Sequence, residues 1–121
     1  MQQAAQAYGA VAKQIANPRD LESSLLLKAA SRLQLIHDNW DAEQTNLYDA
    51  LLYNRKLWVV FMTSATSKDN PLPPAIRQNI ANLGIFIMNQ TMSLTENPQR
   101  ERLPVLININ REIAAGLRGA T

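Results

Sequence analysis

Apolar residues in this chain recur every three or four positions, and prolines break the pattern at Pro18, at Pro71, Pro73 and Pro74, and at Pro98 and Pro104. That period belongs to amphipathic helices, and no stretch alternates as a strand would. Five helices are predicted. The first covers about residues 3–15 and carries Ala4, Tyr8, Val11 and Ile15 on one face. The second begins at "NPRD", with Asn17 as N-cap, Pro18 at the first helical position and Asp20 in the first turn. Its stripe is Leu25, Leu26, Ala29, Leu33 and Ile36.

The third is expected to open at Asp41, with Gln44 completing a capping box, and to run through Tyr48 to about Thr63. After the loop "SKDNPLPP", the fourth runs from Pro74 to about Leu94, because a residue preceding proline avoids the α region. After "TENPQRERLP", the fifth starts at Pro104 and closes with Arg118 and Gly119 at its C-terminus. The fold class is therefore all-α: a single-domain helical bundle of about five helices over residues 1–121.

Two polar interruptions break this pattern. In "DALLYNRKLWVVF", Asn54, Arg55 and Lys56 sit inside the most apolar segment, and "LININREIAAGL" repeats an Asn-Arg pair at Asn110 and Arg111. At about 100° per residue, Leu47, Leu51, Asn54, Trp58 and Phe61 share one face. Leu106, Ile107, Asn110, Ile113, Ala114 and Leu117 share another. Each stripe thus centres on an asparagine flanked by an arginine, while Lys56 points to solvent. Buried amides are normally satisfied inside the protein, which favours a register-fixing hydrogen bond for Asn54 and Asn110. Arg55 and Arg111 fit two readings equally: stems lying along apolar surface, or side chains lining a peptide-binding groove.

The fourth helix carries more apolar surface than one face can hold. Ile76, Ile80, Leu83 and Ile87 form a core stripe, and Ile85, Met88 and Met92 form a second set on roughly the opposite side. Methionines on an open face adapt to the shape of a partner helix, so Ile85, Met88 and Met92 are candidate protein-binding residues. The competing reading is that the first helix covers them.

Composition removes several kinds of chemistry. With no cysteine there is no disulfide, zinc ribbon, iron–sulfur cluster or thiol nucleophile. His37 is the single histidine, and Asp38 and Asp41 beside it read as helix-end residues, so no metal site is expected. No phosphate loop, nucleophile elbow or apolar carboxylate pair occurs; the reading is a non-enzymatic binding protein without cofactor. Twelve Lys/Arg against ten Asp/Glu leave a net charge of +2 without a basic stripe. No signal peptide is visible, and the longest apolar run, "LWVVFM", is far short of the ~20 residues of a membrane span. A soluble, cytoplasmic protein without membrane insertion is expected.

The segments "SLLLKAASRLQLI", "ALLYNRKLWVVF", "NPLPPAIRQNIANLGIFI" and "LININREIAAGL" resemble the FlaF family of flagellar biosynthesis regulators, in order and in spacing, from about Tyr8 to Leu117. The matching motif residues are Asn54, Arg55, Leu57 and Trp58 in one segment and Asn110, Arg111, Ile113, Gly116 and Leu117 in the other. The resemblance implies a cytoplasmic, chaperone-like protein that binds flagellin and supports its synthesis and export. It acts opposite FlbT, and direct contact with FlbT is left open, as is self-association. The alternative is an RNA-binding regulator of flagellin mRNA translation. That role needs a basic patch and stacking aromatics, and scattered charge argues against a direct nucleic-acid partner.

Overall fold

The computed structural model describes residues 18–119, so the first predicted helix and Asn17 lie outside the described residues. The elements are α1 (Pro18–Asp38), α2 (Trp40–Glu43), a 3-10 turn (Gln44–Asn46), α3 (Leu47–Ala65), α4 (Pro74–Glu96), a second 3-10 turn (Arg100–Arg102) and α5 (Leu103–Gly119). Among the described residues there is no strand. The fold is all-α, with four long helices.

Side-chain contacts between the elements show how the helices pack. Ser23 Oγ donates to the Ala114 carbonyl at 2.9 Å, and at the far end Arg100 Nε donates to the His37 carbonyl at 2.8 Å, so α1 and α5 run antiparallel. The second bond also satisfies a carbonyl in the last turn of α1, where none of the four terminal C=O groups has a partner within the helix. Lys28 and Arg32 lie over the Tyr53 ring, at 6.0 and 5.0 Å from its centroid, which ties α1 to α3. Met62 of α3 packs against Gly84 of α4, where any Cβ would meet the methionine sulfur. Glycine there lets the two helices approach closely.

α1 therefore packs on both α5 and α3, α3 packs on α4, and α4 approaches α5 only loosely. The core takes one stripe from each helix: Leu26 and Leu33, Leu51 and Trp58, Ile80 and Ile87, Leu103 and Leu106, all at most 1 % exposed. Trp58 stacks edge-on to Phe61, with centroids 5.3 Å apart and planes at 77°.

Boundaries differ from the sequence expectation at three points. The predicted third helix does not begin at Asp41: a four-residue helix and a 3-10 turn precede α3, and no side-chain cap forms. Between Asp41 and Asn46 every residue except Glu43 is exposed, so no apolar stripe anchors an α-helix until Leu47. α5 starts at Leu103, one residue before Pro104, because the turn at Arg100–Arg102 leads directly into it. Gly119 is the last residue of α5 and does not serve as a left-handed C′ cap; among the described residues no glycine has positive φ. In α1, Leu25 is only half-buried, and Leu21, Ser23 and Ala30 enter the core beside the expected residues.

Candidate functional site

The two asparagines meet. Asn110 Nδ2 donates to Asn54 Oδ1 at 2.8 Å and to the Leu26 carbonyl at 3.3 Å, and Trp58 Nε1 donates to Asn110 Oδ1 at 2.9 Å. All three side chains are fully buried. One amide on α5 thus reads both α3 and α1. Only one register of the three helices places these donors opposite these acceptors, which gives the network its architectural role. Asn54 Nδ2 has no partner among the described residues. Ser23, also at 0 % exposure, adds a second buried α1–α5 bond. Its place among the leucines of "ESSLLL" gave no sign of this, because a serine early in a helix reads as solvated.

The other candidates lie on the surface. Arg55 and Arg111 are both exposed. Ile85 and Met92 are 59 % and 63 % exposed, whereas Met88, between them, is half-buried and packs against the core. α3 and α4 are antiparallel with Met62 against Gly84, so helical spacing brings Val59 level with Met88 and Arg55 level with Met92. Val59 is 45 % exposed. The seam between α3 and α4 therefore presents an apolar strip of Val59, Ile85 and Met92 with Arg55 at its edge. Arg111 is not part of it: it projects from α5, a helix that does not border this seam.

Leu57 faces α1 instead, lining a small cavity with Glu22, Leu25 and Val60. Burial there pushes the Glu22 carboxyl above its usual value, and the Arg19 charge offsets part of that rise. A folded-state pKa above the unfolded one means that the folded protein holds the proton more tightly. The anion then costs stability as pH rises past 4.5, and the cost is complete above the folded value. Glu22→Gln should raise Tm at pH 7, and the gain should vanish below pH 4.5; thermal melts across that range check it.

The remaining motif residues, Ile113, Gly116 and Leu117, line a groove of about 370 Å³ between α4 and α5. Ile109 and Glu112 complete the α5 wall, and Ile76, Asn79, Ile80 and Leu83 form the α4 wall. Sequence periodicity placed Ile76, Ile80 and Leu83 on a core stripe. The groove was not foreseen because it comes from how far apart the two helices stand. Arg102 explains the shape: its guanidinium donates to Ser93 Oγ at 2.8 Å and Gln90 Oε1 at 2.6 Å, closing the end where α4 finishes and α5 begins.

The molecule is thus a small antiparallel helical bundle, locked by a buried amide network and bearing apolar surface on both sides of α4. The family model described as flagellar protein FlaF matches residues 4–117, and the chain belongs to that family. No curated protein and no solved structure shows significant similarity to it. It is a flagellum-related protein. Among the described residues no helix is long and apolar enough to cross a membrane, and no group of three or more potential metal ligands is found.

Proposed function

We propose that this protein binds flagellin in the cytoplasm in a chaperone-like role that supports flagellin synthesis and export, and that it acts by binding rather than by catalysis. The observation that carries this reading is the apolar strip on the α3–α4 seam, with Ile85 and Met92 each more than half exposed, in a chain of a flagellar family. Unassembled flagellin has amphipathic terminal helices that must be kept from polymerising. An exposed apolar strip that includes the flexible Met92 side chain suits one such helix, docked through its own apolar face. Arg55, at the edge of the strip, would meet the polar flank of that helix.

Isothermal titration against purified flagellin, against FlbT and against flagellin leader RNA tests the proposal. Flagellin should bind, with an affinity that changes little between 50 and 200 mM salt. A protein neutralising six to ten phosphates loses roughly 10³–10⁵ in affinity over the same range. Sequence-specific RNA binding at physiological salt, with no protein partner present, would replace this reading with translational control by direct contact.

A further inference from the structure

The buried amide network ends in an unused donor. The Trp58 indole can only donate, so it holds Asn110 Oδ1 toward itself and leaves Asn110 Nδ2 for Asn54 Oδ1. Asn54 Nδ2 is then the free end. It has no partner among the described residues, although Asn54 is 0 % exposed.

On α4, Thr91 is in the same situation. Helical threonines commonly donate to the carbonyl four residues back, and Thr63, Thr66 and Thr95 do so at 2.7, 2.9 and 2.8 Å. All three are exposed. Thr91 is buried, at 4 % exposure, and its Oγ1 has no partner among the described residues. The two groups lie level. Counted in opposite directions along the antiparallel pair, Phe61, Trp58 and Asn54 of α3 match Gly84, Ile87 and Thr91 of α4 at the same intervals, and all six are buried. Met62 against Gly84 sets that alignment.

We infer that a single buried water molecule sits between them, accepting a hydrogen bond from Asn54 Nδ2 and donating one to Thr91 Oγ1. Buried waters characteristically join polar groups that the protein itself leaves unsatisfied. The network then reaches all four long helices: Leu26 of α1, Asn110 of α5, Asn54 of α3 and, through the water, Thr91 of α4. The joint links α4 to α3, the two helices whose seam carries the Ile85–Met92 strip. Asn54 makes two hydrogen bonds in this arrangement against the three of Asn110, which leaves Asn110 at the centre. The inference does not depend on what the strip binds.

Thr91→Val replaces the hydroxyl with a methyl of the same shape, so the sign of its effect is informative. If Thr91 Oγ1 were simply unpartnered, removing it would raise Tm, because a desolvated polar group is lost. With the water in place, valine takes away one of its two anchors, and Tm should fall by about 4 °C or more. The fall should be at least halved in an Asn54→Ala background, where the water has already lost its other anchor. A crystal structure of the full-length chain should show one water within about 3.2 Å of both Asn54 Nδ2 and Thr91 Oγ1, and none there in Thr91→Val.

A rise in Tm, or an equal fall in both backgrounds, overturns the inference. So does a direct contact between the two side chains, or a wild-type site without water, whatever the melts show.

Discussion

Asn110→Ala should cost roughly 3–5 kcal/mol of stability, the largest loss expected from any single amide-to-alanine change in the chain. The substitution removes an acceptor from the Trp58 indole and a donor from Asn54 Oδ1, and both remain fully buried. A stranded buried polar group costs about 1–3 kcal/mol, and the vacated volume adds to that. Total stabilities of small domains lie near 5–15 kcal/mol, so the variant should melt well below wild type. Asn54→Ala should be milder, because Asn54 makes one hydrogen bond of this network and its Nδ2 is already without a partner. Thermal melts of the two variants and of the double variant give the coupling energy. If Asn110→Ala melts with wild type, or Asn54→Ala is the worse of the pair, the network does not hold the three helices as its geometry indicates.

Helix phase was legible in the sequence because one side of each long helix is apolar and the other is not. Trp58, Phe61, Leu51 and Leu47 all fall inside, with Asn54 among them, as the period requires. Pairing was not legible. Periodicity says that an amide faces inward, but it does not say that Asn110 meets Asn54 and Trp58 at once, since that depends on which helices are neighbours. Ser23 was missed for the same reason: a small hydroxyl is compatible with either side of a helix until a carbonyl is found opposite it. The break before Leu47 was hidden because Asp41 and Gln44 match a capping pattern locally, while the absence of apolar anchors over the next turn decides the outcome. The groove rests on the distance between α4 and α5, a property that no single helix records. The second apolar set on α4 was visible as a surplus, but the sequence treated its three members alike. The structure separates them: Ile85 and Met92 are exposed, and Met88 packs against the core.

That separation decides how the α3–α4 seam should be tested. A charge at Met88 would disturb core packing and binding together, so its loss of function would carry no message about the surface. Ile85 and Met92 are both mostly exposed, and substitutions at such sites usually change stability by less than ~0.5 kcal/mol. Lysine is the better probe than aspartate. It is a good helix former, and Met92 lies within the last two turns of α4, where positive charge complements the helix dipole. Ile85→Lys and Met92→Lys should each keep the wild-type Tm within a few degrees. Each should weaken flagellin binding by at least about thirtyfold, the ~2 kcal/mol typical of losing an interface anchor. Flagellin affinity by titration and Tm by calorimetry, taken on the same preparation, separate the outcomes. A variant that unfolds would mean that the strip is covered and is part of the core. If both variants stay folded and bind flagellin as wild type does, flagellin docks elsewhere, and Arg111, on the far side of the bundle, becomes the residue to substitute next.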